Sequence, residues 1–152
     1  MTGPARTGAE VAVFITRNEG SETLIVHRSP VQGSYWHVIA GGVEPGETPR
    51  EAAARELYEE TRLAAELHEG PEVVEYQYAL TEEPAPRRAL YDASVEAITV
   101  TCFRAAAPDG WEPTLDWEHD DHRWCAPAEA AATLRWPETA AALLAMLRGP
   151  RG

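Results

Sequence analysis

The chain predicts an α/β domain, a sheet covered by helices on both faces. Three observations carry that expectation. Short runs with two-residue apolar alternation recur along the chain and are interspersed with segments of helical character. A pair of glycines, Gly41 and Gly42, joins one such run to a helix with a strong start signal. The chain then closes on two alanine-rich stretches, each opened by proline. Its 152 residues suffice for one domain with a sizeable core. Residues 1–8 are expected to form a flexible tail and residues 9–150 a single domain.

Taken in order, residues 10–17 (EVAVFITR) read as a strand, Asn18-Glu19-Gly20-Ser21 as a turn, and residues 23–27 (TLIVH) as the returning strand. Residues 29–34 form a loop. Residues 35–39 (YWHVI) make a short apolar strand that delivers the chain to Gly41-Gly42. A helix follows. Thr48-Pro49-Arg50-Glu51 is a capping box with proline at the first helical position. Ala52, Ala53 and Ala54 keep the first turns slim, and Leu57 is the apolar anchor. The helix ends near Thr61 or Arg62. Residues 72–80 (EVVEYQYAL) alternate as a strand, and residues 81–92 read as a polar loop. Residues 94–105 form a long strand, residues 109–121 an acidic loop, and residues 122–125 a short strand. Residues 127–134 and 137–147 read as the closing helices.

The formal net charge is −12, and all 13 basic residues are arginines. General nucleic-acid binding is excluded, because it needs a basic footprint. An anionic ligand must therefore meet local cations, either a metal or arginine. Cys102 and Cys125 are the only cysteines and lack metal-like spacing, so buried free thiols are expected. The N-terminus lacks an apolar signal core, and no stretch is long enough to span a bilayer. Cytoplasmic residence is the resulting expectation.

The chemistry concentrates in residues 41–63, which hold six glutamates. Glu56 and Glu60 lie one helical turn apart with Glu59 beside them, so three like charges crowd one surface. A divalent ion resolves that repulsion, and Mg²⁺ commonly takes carboxylates together with substrate phosphates. A solvated acidic helix face is the competing reading. It does not account for the glycines and Arg55 arriving at fixed spacing.

That spacing is Gly41, five residues, Glu47, seven residues, Arg55-Glu56-Leu57-Tyr58-Glu59-Glu60-Thr61, then Arg62 and Leu63. It resembles the Nudix box of the Nudix hydrolase family at every fixed position but one, where Arg62 replaces the usual glycine. The resemblance implies the Nudix fold, an α/β/α sandwich with a mixed β-sheet. It further implies a pyrophosphohydrolase that uses Mg²⁺, or Mn²⁺ in its place, to direct water at a diphosphate linked to a group X. On the matching positions it makes Glu56, Glu59 and Glu60 metal ligands, with Glu59, Glu60 and Arg55 in the catalytic set. Glu47 would pair Arg55 or orient the loop. Arg55, four residues before Glu59, reads first as a structural ion pair and only second as a phosphate contact. Arg62 would adopt the left-handed conformation that glycine usually supplies, or end the helix differently.

Outside the box, Nudix sites usually add one more carboxylate as ligand or general base. Glu118 is the first candidate, because residues 117–124 (WEHDDHRW) resemble the Glu-His … Arg/Lys-Trp segment of several Nudix subgroups. Glu96 is the alternate. Gly41 and Gly42 are read as substrate-binding backbone, and Arg28 and Arg87 as phosphate contacts. For each arginine a surface charge, or with Arg88 a solvated pair, is the competing reading. Trp36 reads as core, and Trp111 and Trp117 as base-stacking or loop-anchoring residues. His37, His119 and His122 show no metal spacing. The order of segments around Tyr91 and Trp124 is similar to the dihydroneopterin triphosphate/dATP subgroup. The partner implied is a small nucleotide or pterin pyrophosphate. Diadenosine polyphosphates, nucleotide sugars and a non-catalytic sensing module are the alternatives. Family members are often dimers, which brings a homodimer into view.

Overall fold

In a computed structural model, residues 6–69, 74–83 and 85–147 are described. The elements are β1 (Ala9–Arg17), β2 (Glu22–Arg28), β3 (Trp36–His37), β4 (Ile39–Gly42), α1 (Pro49–Thr61), β5 (Val74–Ala79), α2 (Ala85–Arg88), β6 (Ala97–Ala106), β7 (His119–Cys125), α3 (Pro127–Thr133) and α4 (Pro137–Leu147). Seven strands form one sheet in the path β3-β2-β1-β6-β5, with β4 on β1 and β7 on β2. The β1–β6 pair is parallel. The other pairs are antiparallel, so the sheet is mixed.

β1 is the central strand because its sequence buries on both faces. Val11, Val13 and Ile15 join Leu57 of α1 and Phe103 in one core. Ala12 and Phe14 join Leu143 and Met146 of α4 in the other. The expected strand 35–39 divides at Val38 because it changes partner. Trp36 and His37 pair with β2, whereas residues 39–42 pair with the first half of β1.

Three expectations need correction. The strand expected at 122–125 begins at His119, because β7 pairs along almost all of β2, from Thr23↔Cys125 to Arg28↔His119. Ladder hydrogen bonds hold that polar run in place without apolar alternation. Residues 81–92, expected as an uninterrupted loop, contain α2. The expected strand 94–105 starts three residues later, at Ala97. Residues 1–5 of the expected tail lie outside the described residues. At its end, Arg6 N–H donates to the Leu90 carbonyl (2.8 Å) and Thr99 N–H donates to the Gly8 carbonyl (2.8 Å). Cys102 and Cys125 are free and buried, as expected.

The start and stop of α1 follow the sequence. Thr48 Oγ1 accepts from the Glu51 N–H (3.1 Å), and Glu51 Oε1 accepts from the Thr48 N–H (2.9 Å). At the other end Arg62 adopts φ 67°, ψ 17°, and its N–H donates to the Tyr58 carbonyl (2.8 Å). A left-handed non-glycine residue costs about 1 kcal/mol. Its guanidinium lies 5.3 Å from the Tyr58 ring centroid, which recovers a few tenths of that.

Arg62→Gly removes the steric cost but frees the unfolded chain. The expected result is a melting temperature unchanged or raised by up to about 3 °C, read by calorimetry. A fall of several degrees would show that stacking on Tyr58 outweighs the backbone strain.

Candidate metal centre and cleft

The glycine at 41 is required by packing rather than by backbone conformation, since positive φ is recorded at neither Gly41 nor Gly42. Successive residues of β4 face opposite sides of the sheet. A Cβ on Gly41 would overlap the Glu56 carboxylate of α1, whereas one on Gly42 would meet open space. The close approach of β4 to α1 thus lets Glu56 reach the strand end.

Arg55 ties the two elements together. Its guanidinium donates to both oxygens of Glu47 (Nε 2.8 Å, Nη2 2.9 Å), to the Gly42 carbonyl (2.9 Å) and to Glu56 (2.6 Å). A planar fork suits this bidentate demand. The Arg55 hydrogen bonds hold the Glu47 carboxyl below its usual range. The helix-spaced partner read from sequence, Glu59, is the weaker contact at 3.4 Å.

Behind Glu56 lies Glu60, 1% exposed, with neither carboxylate oxygen hydrogen-bonded among the described residues. Burial first, then the neighbouring Glu56 and Glu118 carboxylates, push its pKa well up. The His119 Nε2 is 3.6 Å from Glu60 Oε1. One ligand atom each from Glu60, Glu118 and His119 lies within 4.8 Å of the others. The His119 Nδ1 is 3.1 Å from Asp116 Oδ1, a contact that orients the ring. Burial lowers the His119 pKa, against the opposing pull of Asp116. A neutral ring donating from Nδ1 turns a lone pair toward the carboxylate, so a proton or a cation belongs between them. A buried bare carboxylate otherwise costs several kcal/mol. The donor set therefore fits a divalent ion, and its carboxylate oxygens suit Mg²⁺ or Mn²⁺.

A cleft of about 750 Å³ opens beside this cluster. Glu56, Glu118, Arg28, His37 and both glycines line it. Arg28 is 8% exposed, so it is no surface charge. It donates to Gln32 Oε1 (2.7 Å), while its Nε has no partner among the described residues. Arg28 continues the covered face of β2 that carries Leu24 and Val26, and an extra residue on β7, Asp120, brings His119 opposite it. The Ser29 N–H donates to the Glu118 carbonyl (2.8 Å), fixing Glu118 next to it. Burial raises the Glu118 pKa, with Arg28 pulling the other way. Burial, helped by Arg28, pushes His37 down to about 3.

The remaining candidates divide clearly. Arg87 lines the cleft and pairs with Glu83 (3.0 Å), whereas Arg88 bonds the Glu83 carbonyl (2.7 Å) outside it. Glu59 is not brought to the cluster; it is exposed on α1. Glu96, the alternate carboxylate, is exposed. Trp117 is 70% exposed. Trp111 packs edge-on against Trp124, with ring centroids 6.4 Å apart. Trp36 is half-buried against the α4-side core. None of these tryptophans lines the cleft; Tyr35, Tyr76, Tyr78 and Trp136 do. Sequence reading missed His119 because its partner Glu60 is distant in the chain. Only its position beside Glu118 hinted at a role.

Comparisons with known proteins place this geometry. The family model for the NUDIX domain matches residues 6–147. An octanoyltransferase of Myxococcus xanthus is 34% identical over 121 residues, covering 80% of this chain but 30% of that protein. An RNA pyrophosphohydrolase of Dinoroseobacter shibae is 34% identical over 99 residues, 61% of each chain. The chain thus spans less than two thirds of either relative. Among solved structures, the dihydroneopterin triphosphate pyrophosphohydrolase of E. coli superposes with a TM-score of 0.76 at 22% identity. That match covers 96% of this chain and 99% of that one, a likeness of fold.

Glu47→Gln tests the arginine hub. Because the folded-state pKa of Glu47 is lowered, its contribution is present above the ordinary carboxylate range and lost as pH falls through the folded value. At pH 7 the substitution should cost about 1–2 kcal/mol, or roughly 3–8 °C in melting temperature. At about pH 3, below the ordinary Glu value of about 4.3, the gap should be narrower than at pH 7. An equal gap at both pH values would refute the charge-based account.

Proposed function

The chain belongs to the NUDIX family, and from that premise we propose that it is a Mg²⁺-dependent pyrophosphohydrolase, with Mn²⁺ able to substitute. Its substrate is a nucleoside diphosphate linked to X, best read as a (deoxy)nucleoside or pterin triphosphate. One observation carries the reading: the buried, unsatisfied Glu60 carboxylate clusters with Glu118 and His119 at a cleft that also holds the buried cation of Arg28.

Glu60, Glu118 and His119, with Glu56 beside them, are the residues that would hold the ion, and Glu59, exposed on α1, stands outside that set. When bound, a divalent ion neutralises pyrophosphate charge and acidifies water. Glu118 would receive the proton of the attacking water. Arg28 holds phosphate oxygens in the water-poor part of the cleft, and Arg87, paired with Glu83, faces the rest of the substrate from the opposite wall. Gly41 and Gly42 let backbone and ligand approach closely. Arg55 acts through Glu47, Gly42 and Glu56 as a positioning residue. A sensing module without catalysis is disfavoured because Glu56, Glu59 and Glu60 are all present. Among the described residues no helix is long and apolar enough to cross a membrane.

The test is release of pyrophosphate or phosphate with Mg²⁺ and with EDTA, across dNTPs, dihydroneopterin triphosphate, diadenosine polyphosphates and nucleotide sugars. Turnover abolished by EDTA is expected. Glu60→Gln and Glu118→Gln should each lower kcat by about 10²–10⁴-fold with the fold retained, and Glu59→Gln by less. Full activity in both of the first two variants would remove the site assignment.

A further inference from the structure

The metal cluster and Arg28 account for one side of the cleft and leave its β5 side unexplained. There the floor is a cross-strand row, Gly42 on β4, Glu10 on β1, Val100 on β6 and Tyr76 on β5. Glu10 continues the face of β1 that carries Ala12 and Phe14, yet it is a carboxylate. It accepts from the Tyr91 hydroxyl (2.7 Å) and from the Tyr78 hydroxyl (3.1 Å). The same Tyr78 hydroxyl lies 2.9 Å from Glu83. One hydroxyl hydrogen therefore faces two carboxylates, and Arg87 offsets only one of their charges. This side of the cleft holds more acceptor capacity than the protein's own donors use.

Beside the metal cluster, Arg28 is more than nine-tenths buried, and its Nε–H has no acceptor among the described residues. With an ion on the cluster's carboxylates, that end of the cleft takes an anionic group, while Glu10 and Glu83 call for N–H donors at the other end. Aromatic walls specify its shape. Tyr76 lines the cleft, as does the Tyr35–Trp136 pair, whose ring centroids stand 6.1 Å apart. Such walls suit a flat ring.

We propose that Glu10, Tyr78 and Glu83 form the subsite that reads X, and that they select a flat heterocycle carrying an amide N–H beside an exocyclic amine. That edge is common to guanine and to pterins. A carboxylate accepts such a pair of donors in two parallel hydrogen bonds. The inference rests on the hydrolase reading for the placement of the phosphates.

The experiment compares dGTP with dITP, which keeps the ring N–H and lacks the amine, and with dihydroneopterin triphosphate. Wild type should prefer dGTP to dITP by about tenfold or more in kcat/KM. Glu83→Gln and Glu10→Gln should each raise KM for dGTP by about tenfold while kcat and the constants for dITP move less than about threefold. The larger loss, on dGTP or on the pterin, identifies the source of the edge. If Glu10→Gln does not fold, Glu83→Gln, in the turn between β5 and α2, decides alone. Equal loss on dGTP and dITP, or no wild-type preference, overturns the subsite. If no substrate is hydrolysed, calorimetric titration with neopterin and deoxyguanosine separates the two readings. Binding weakened by Glu83→Gln would sustain the subsite while the hydrolase reading falls. No binding would overturn the subsite as well.

Discussion

The Arg55 guanidinium ties together the polar ends of three pieces of chain that the apolar core brings near one another. Its bonds to Glu47, the Gly42 carbonyl and Glu56 join the loop, the strand end and the helix into one rigid unit. Without it, the Glu47 and Glu56 carboxylates and the Gly42 carbonyl would lose the donor they share. The missing Cβ of Gly41 is the steric counterpart of this ion pair, because it lets the Glu56 carboxylate sit against the strand. Charge and space are thus solved at one point, and the helix axis is set by that solution.

From this unit the site is built outward by the sheet. α1 presents Glu60 inward, into a place where its carboxylate has no protein donor. The pairing of β7 with β2, with Asp120 as the extra residue on β7, then carries His119 opposite Arg28. Stability is spent locally here: a buried carboxylate, a neutral imidazole and an arginine with an unused donor each raise the free energy of the fold. Groups left in that condition are matched to something that arrives later.

The two faces of the sheet divide the labour. The face toward α1 is apolar up to the carboxylates, which gives the metal cluster its dry backing. The core toward α4 is apolar, with Glu10 at its edge on the same face of β1. The cleft runs between these two polar points, so each of its ends presents charged groups.

Much of this was legible in the chain. The capping box, Leu57 as anchor, the left-handed Arg62 and the acidic face of α1 are all local signals, decided by neighbours within four residues. Glu118 stood out through its flanking residues. What the chain could not show was pairing across long separations. His119 looked inert because Glu60 reaches it only through the β2–β7 ladder, and Arg28 looked like a surface charge because only the assembled sheet covers the face of β2 that it shares with Leu24 and Val26. Glu59, indistinguishable from Glu56 and Glu60 in spacing, proved exposed because the close approach of β4 selects which side of α1 is covered. Glu10, Tyr78 and Glu83 carry no motif at all; strand register alone brings them to one cleft. Sequence by itself therefore determined the helix, its charges and its ends, since those depend on period and capping. Tertiary structure decided which charges are buried and which face one another, since burial and pairing are properties of the assembled sheet.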